Sequence, residues 1–600
     1  MGRKCTGGGL EPHHEQVGFR WRRYDVVRIH LLALVKQSRR GCEIMLVKIH
    51  HNGDDVLIAW KPDGFIAGCR GFALMRRRNG IEEVVSTWVG FEGDQAVDGE
   101  RRASTNWPIQ KYQWTDYMAN PGDRVAYRVL PMVGPDKANL RPDPGSASDW
   151  TDEIALAAVT SPDIEVVFNR GIVAAQWVSR RLGVTGHDLQ NAKLETVIKT
   201  PGDPLRDYLA GPLGARLFTL LDAAAQDSRD VYAALYELDD PQLIAALTRL
   251  GERAHVVLAN GSVKNKGDDQ NADARAALWG KVELHGRMCS PRALGHNKFL
   301  IVCDDDGRPR WVWTGSQNWT MTGLCTQANN SLLIDDPTLA EQYRQQWDRL
   351  KDAGDATPET LRSANSTPRD LTVVSAPMRL WFTPTRDHVD LADARTIITG
   401  AQSGILFLMF NPGPKDTLLN TILDVAHTDR SARLYIRGVL NQDPSTTANP
   451  VHLFDQDNTE KADLDIVLPA AIDAPTAFFR AELEKLDRAF AMVHSKVIVV
   501  DPFGPNPVLL TGSHNLGPKA SATNDENLLI IRNTPAVADA YATNIMSVYN
   551  QYRWRFRRHL QPAAKQWKGL VDSDAWQNWH LKPDSPQYRE IDFWVGQTTP

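Results

Sequence analysis

Two short sets of residues, 198 positions apart, carry the chain's most reactive side chains. The first is His296-Asn297-Lys298 followed by Gly315-Ser316-Gln317-Asn318, and the second is His494-Ser495-Lys496 followed by Gly512-Ser513-His514-Asn515. In each set His and Lys stand two apart at the head of an apolar run rich in β-branched residues, 299–302 or 497–500. Strand side chains alternate with period two, so both polar groups of a set project from one face. A turn then returns the Gly-Ser-x-Asn segment alongside. An imidazole titrates near about pH 6.5, so one ring can be neutral and nucleophilic while another is protonated and acidic. On opposite sides of one phosphorus, such a pair supplies the nucleophile and the proton donor for phosphodiester cleavage without a metal. Two Lys and two Asn supply positive and hydrogen-bonding groups for the non-bridging oxygens, each such donor worth roughly 10²–10³ in rate. Two sets in one order therefore read as two halves of a single site.

That site needs two similar scaffolds, and the sequence predicts them. Helix, strand, helix and strand (205–225, 231–235, 241–250, 255–258) precede the first set, and 392–400, 405–410, 416–428 and 433–439 repeat that order before the second. Asp336-Pro337 and Thr534-Pro535 are N-cap-plus-Pro helix starts, again 198 apart, each followed at one offset by a tyrosine, Tyr343 or Tyr541. Strands alternating with helices imply parallel sheet under helical cover. The expected fold class is α/β: two tandem units about a pseudo-twofold axis, both His rings facing the seam, preceded by an all-β sandwich.

At these residues the chain resembles the phospholipase D superfamily, whose motif is H-x-K-x4-D followed by G-[GS]-x-N. The second copy fits throughout with His494, Lys496, Asp501, Ser513 and Asn515, and adds Glu526 where the family often carries an acid. The first copy has Cys303 at the Asp position with Asp304 one step late, and Asn329 in the place of Glu526. The resemblance covers about residues 200 to 560. It implies that His296 attacks to form a phosphohistidine, while His494 protonates the leaving alcohol and later deprotonates water. Lys298, Lys496, Asn318 and Asn515 would hold the phosphoryl oxygens, with Ser316 and Ser513 assisting. It also implies that Glu526 orients His296 across the two halves, leaving the uncharged Asn329 to face His494. No metal or cofactor is implied. The expected substrate is a glycerophospholipid at a membrane surface, hydrolysed or transferred to an alcohol. A nuclease of the same superfamily, with nucleic acid as partner, is the alternative, and a catalytically silent scaffold is the third reading.

Composition sets outer bounds. Six hundred residues exceed one core, and a net charge of −5 gives no global basic field of the kind that draws nucleic acid. Six cysteines (Cys5, Cys42, Cys69, Cys289, Cys303, Cys325) form no disulfide framework. The first residues lack the apolar core of a signal peptide, and no 18-residue apolar run follows. The expectation is a cytoplasmic monomer, peripheral at a membrane when it works.

The domain reading follows from these boundaries. Residues 1–20 form a disordered tail, and 21–160 a sandwich with strands at 26–35, 43–49, 56–60, 71–75, 83–89 and 124–132. Trp60-Lys61-Pro62 and the run 121–129 resemble a fibronectin type III domain, with Trp60 a core residue and Tyr127 near a tyrosine corner. A connecting helix at 161–200 carries Ile172, Val173, Trp177, Val178 and Leu182 on one face. The phospholipase D-like halves are 201–352 and 376–560, separated by a polar linker at 353–375 and followed by a Trp-rich extension at 561–600. Trp311, Trp313 and Trp319 crowd the first set and read equally as headgroup pocket or as core.

Overall fold

The computed structural model describes residues 45–94, 100–161, 163–171, 182, 187–428, 434–445, 463–468, 493–560, 569–583 and 585–596. The tail 1–20, the run 26–35, Cys5, Cys42 and the helical stripe Ile172, Val173, Trp177 and Val178 lie outside them.

The N-terminal β-rich region holds a three-stranded and a five-stranded sheet. Val56, Ile58 and Trp60 from the strand Val56–Lys61 meet Phe72 and Leu74 from Cys69–Arg78 and Val125, Tyr127 and Val129 from Arg124–Val133 in one core. Period-two alternation places these side chains on the two facing surfaces. Tyr127 donates to Asp116 Oδ2 at 2.9 Å, where Arg76 also binds at 2.5 Å. A tyrosine corner would send that hydroxyl to nearby upstream backbone; here it anchors on a buried ion pair. The C-terminal extension completes the region. Trp576 packs edge-on against Phe72 at 5.9 Å and donates to Cys69 O at 3.0 Å. The helix Pro586–Val595 ties the region to the second α/β unit, with Asp592 on Lys61 at 2.6 Å and Glu590 accepting from Tyr435 at 3.0 Å.

Two eight-stranded mixed sheets follow, one in each half of the remaining chain. In the first, Val231–Leu235, Ala254–Ala259 and Glu283–Arg287 run parallel, as alternating strands and helices require. Lys298–Cys303, Pro309–Gly315 and Asn330–Asp335 are antiparallel, so only part of each sheet has the expected parallel form. The reason is local: the run behind His296 folds back through the short 304–308 turn, and tight turns join antiparallel neighbours. The second unit repeats this with Gly404–Met409, Tyr435–Leu440 and Asp463–Val467 parallel, and Lys496–Val500, Val508–Gly512 and Asn527–Arg532 antiparallel.

Both connecting segments hold structure that their composition hid. Ile164–Phe168 is a strand of the first sheet, paired with Asn330–Asp335, and the described helix of the 161–200 segment is His187–Lys199. The polar stretch 353–375 contains the helix Glu359–Asn365 and the strand Arg369–Val373 at an edge of the second sheet. An edge strand keeps one face wet, so its sequence stays polar.

The shifted aspartate of the first copy is a strand-end adjustment. Pairing slips between Val302 and Cys303, and Asp304 Oδ1 caps the turn by accepting from Asp306 N and Arg308 N at 3.0 and 2.9 Å. In the second copy Asp501 accepts from the backbone N–H groups of Gln402, Ser403 and Gly404, with Ser403 N at 2.7 Å. Its position at the far end of its strand makes it a structural residue.

The halves meet by exchanging hydrogen bonds. Thr314 donates to Asn527 Oδ1 at 2.9 Å, and Thr511 donates to Asn330 Oδ1 at 3.0 Å. Tyr343 and Tyr541, on the helices Pro337–Ala353 and Pro535–Leu560, reach Asn527 and Asn330 of the opposite half at 3.4 and 3.1 Å. The buried Arg287 grips Asp525 through two nitrogens at 2.8 and 3.0 Å. A charge left unpaired in such a seam is costly, which fixes how the halves meet.

Candidate active site

The two His-Lys sets sit where the halves touch. His296 and His494 directly precede the strands that begin at Lys298 and Lys496, and all four side chains are buried. Lys298 Nζ donates to His296 O at 2.7 Å and Lys496 Nζ to His494 O at 2.6 Å, so each ammonium folds back beside its own histidine. Each pair also has an aromatic wall. Tyr236 meets the His296 ring edge-on at 4.6 Å with Lys298 above its face at 4.8 Å. Phe410 packs tilted against the His494 ring at 4.8 Å, with Lys496 above its face at 4.7 Å. Both aromatics are the first residue past a central strand, Val231–Leu235 or Gly404–Met409.

The motif glycines permit the close approach that builds the site. A Cβ on Gly315 (φ +159°) would lie 2.2 Å from Asn330 O, and one on Gly512 (φ +141°) 2.4 Å from Asn527 O. Only glycine accepts that conformation at that distance. The following serines are completely buried, and Ser316 and Ser513 accept from Asn330 N and Asn527 N at 3.1 and 3.0 Å. Ser316 also donates to Asn329 Oδ1 at 2.8 Å. Expected as substrate-binding groups, Ser316, Ser513 and Asn329 have these side-chain atoms committed within the protein, and they shape the site from its walls.

The partners of the two imidazoles differ. His296 Nδ1 lies 2.6 Å from Glu526 Oε2, an acceptor from the other half. His494 Nδ1 lies 3.1 Å from Asn329 Oδ1, again across the seam. Asn329 Nδ2 donates to Gly323 O at 2.9 Å, which turns its carbonyl oxygen toward the ring and makes His494 Nδ1 the donor. Asn169 holds that loop, accepting from Asn329 N at 2.7 Å and donating to Leu324 O and Gln327 O at 2.8 and 2.6 Å. With Nδ1 held at an acceptor on both rings, Nε2 is the nitrogen that remains on each, and the backbone of Ser513 beside His296 and of Ser316 beside His494 also bonds the rings.

Burial pushes both histidines well below the usual imidazole range, and the nearby Lys298 and Lys496 ammonium groups add to it. Glu526 stands at hydrogen-bond distance from His296, and the net direction for that ring is still downward. Burial raises Glu526 to about 7, against the opposing pull of His514 and Lys298. Lys298 is lowered to about 7 by burial, with Glu526 and Glu237 acting in the other direction. Lys496 is also lowered, first by burial and then by Lys298. Perturbations of this kind are what proton-transfer sites require.

Asn318 and Asn515 complete the set. Asn318 Nδ2 donates to Glu237 Oε2 at 2.7 Å, and the buried Oδ1 of each Asn has no hydrogen-bond partner among the described residues. Sequence reasoning missed Tyr236, Phe410 and Glu237, which belong to no motif; aligning the two repeats past their central strands would have paired the aromatics. It also passed over His514, whose Nε2 faces Asp390 Oδ2 at 3.0 Å with both side chains fully buried. Trp313 and Trp319 are buried at 1% exposure and pack in the hydrophobic core.

Comparison with known proteins gives the following. No curated protein matches the chain. Among solved structures, polyphosphate kinase from Porphyromonas gingivalis is 12% identical over 52% of this chain, with a TM-score of 0.34, and the match spans 45% of that protein. Phosphatidylserine synthase from Haemophilus influenzae Rd KW20 is 12% identical over 63% of this chain and 90% of its own, with a TM-score of 0.35. Nuc from Salmonella typhimurium, described as a phospholipase D family member, is 17% identical over 30% of this chain and 97% of its own, with a TM-score of 0.22. Residues 217–351 and 395–548 match the family model described as cardiolipin synthase, PLD-like domain, one segment to each α/β unit, so the chain carries two PLD-like units behind its N-terminal β-rich region.

Proposed function

We propose that the protein is a metal-independent phosphodiesterase that cleaves or transfers the phosphodiester of a glycerophospholipid through a phosphohistidine. The observation that carries this reading is the unequal backing of two rings at the seam: a carboxylate behind His296 and an amide behind His494. A carboxylate accepting from Nδ1–H raises the basicity of Nε2 and stabilises the charge that builds as the ring bonds to phosphorus. His296 Nε2 therefore attacks phosphorus, the bond to the leaving alcohol breaks, and the departing oxygen takes a proton from His494, whose ring burial keeps neutral in the free protein and which the negative charge of the bound phosphodiester brings to its protonated form. His494 then removes a proton from water or an acceptor alcohol, whose oxygen attacks phosphorus and breaks the P–N bond. Lys298, Lys496, Asn318 and Asn515 bind the non-bridging oxygens as charge develops.

The net charge of −5 and the match to a PLD-like domain of the cardiolipin synthase kind support a lipid over a nucleic acid. Because both histidines come from one chain, a monomer holds a whole site. Among the described residues no helix is long and apolar enough to cross a membrane, which is consistent with substrate taken from a membrane surface. We place the units about a pseudo-twofold axis on the strength of the exchanged Thr–Asn bonds. The test offers purified protein in EDTA phosphatidylcholine with ethanol, and plasmid or single-stranded DNA in a parallel tube. Phosphatidylethanol is the expected product. DNA nicking abolished by His296→Asn would replace this reading with a nuclease, and silence of a folded protein in both tubes would favour a scaffold.

A further inference from the structure

The first unit places a carboxylate in the site where the second has none. Glu237 lies two residues past Val231–Leu235, and its Oε2 accepts from Asn318 Nδ2 at 2.7 Å. The matching position, two past Gly404–Met409, is the exposed Asn411. Backbone bonds hold the Glu237 loop against the Asn318 segment: Trp319 N donates to Glu237 O at 3.2 Å, while Asp239 N and Asp240 N donate to Trp319 O at 3.2 and 3.3 Å. A carboxylate only accepts, so it fixes which end of the Asn318 amide faces it. One amide N–H is then occupied and the other is left for an acceptor, while the buried Oδ1 has no partner. Burial raises the Glu237 carboxyl above its usual range, against the opposing pull of Lys298, and Asp239 adds to the rise while Gln270 and Lys496 oppose it.

We propose that Glu237 is a positioning residue: it locks the rotation of the Asn318 amide so that the second N–H meets a phosphoryl oxygen. This rests on the site binding phosphorus as described above. It makes the two phosphate-binding asparagines unequal, Asn318 being held by a charge and Asn515 not.

The test is a double-mutant cycle of Glu237→Ala and Asn318→Ala, with Glu237→Gln alongside, in the full chain. It is read first as affinity for inorganic phosphate by calorimetry and then as turnover of bis(4-nitrophenyl) phosphate. Each alanine variant should weaken phosphate binding about tenfold, the loss of one charge-assisted bond. The double variant should be no weaker than Asn318→Ala, the outcome required when the effect of Glu237 on phosphate runs through Asn318 and not through its other neighbours, Tyr236, Gln270, Lys298 and Lys496. In turnover Glu237→Ala should lower kcat about 10²-fold, an oxyanion-donor effect, with KM changed far less. Glu237→Gln keeps volume and an acceptor oxygen, so it should recover most of both losses and guards against a folding defect. Losses that multiply in the double variant overturn the proposal, as does a folded Glu237→Gln no better than Glu237→Ala. Coupled phosphate binding without turnover would sink the proposed function and leave this inference standing, whereas turnover with multiplying losses would do the reverse.

Discussion

The two PLD-like units are alike where they touch and unlike where they react. Each contributes a Thr, an Asn and a Tyr to reciprocal bonds across the seam, and each sets an aromatic ring beside its histidine. At the chemical positions they differ: Glu526 against Asn329, His514 against Gln317, Glu237 against Asn411. Shared packing can hold two rings toward one phosphorus, but displacement needs a nucleophile on one side and an acid on the other. In the mechanism we propose, the difference between the units supplies that division of labour on a repeated frame.

Removing His296 should break the comparison most severely. His296→Asn should lower turnover by about 10⁴-fold or more, because no covalent intermediate can form. His494→Asn should slow the first release of 4-nitrophenolate from bis(4-nitrophenyl) phosphate far less than the first release of alcohol from a lipid, since 4-nitrophenolate departs without a proton, while turnover of both stalls at the phosphohistidine. Equal losses in that first step on both substrates would mean that His494 is not the acid.

Glu526→Gln should cost about 10²–10³-fold, and Asn329→Asp no more than about tenfold, as rates measured on folded variants. The reverse ranking would exchange the roles of the two histidines.

The pH profile sharpens the same contrast. Below about 7 the Glu526 carboxyl takes up a proton and stops accepting from His296 Nδ1–H, so activity falls on the acid side. Above about 7 Lys298 loses its proton and its charge on the phosphoryl group, so activity falls on the alkaline side. The result is a narrow bell around neutrality, and Glu526→Gln should remove its acid limb while keeping the alkaline one.

The smallest effect concerns stability. Burial opposes ionisation of Asp390, but His514, Ser521 and Thr385 more than offset it and hold its carboxyl at about 2, below its usual range. Its folded value is depressed, so its contribution is complete above the unfolded value near about 4 and is lost as pH falls toward 2. Asp390→Asn should lower unfolding free energy by about 1–3 kcal/mol at neutral pH, and the gap to wild type in denaturant titrations should close near pH 2.

Much of this was legible in the sequence because the repeat carries information that single residues lack. The constant spacing placed Glu526 and Asn329 in equivalent slots, and the resemblance suggested that each serves the opposite histidine; the structure sets them at 2.6 and 3.1 Å from those rings. Sheet direction was only half legible, because strand and helix alternation speaks for the strands at 231–235, 254–259 and 283–287 and is silent on the hairpins that carry the motifs. The edge strand Arg369–Val373 read as linker because its exposed face is polar. Glu237 could not be foreseen: its role comes from a contact with Asn318, 81 residues away, which only the folded chain creates.

The most direct test of the central claim is to find where phosphorus becomes attached. His494→Asn protein, mixed with bis(4-nitrophenyl) phosphate and quenched in alkali to preserve phosphoramidate, should yield one modified peptide with the nitrophenyl phosphate on His296. Phosphorus on another residue, or a burst of nitrophenol with no labelled peptide, would contradict the account.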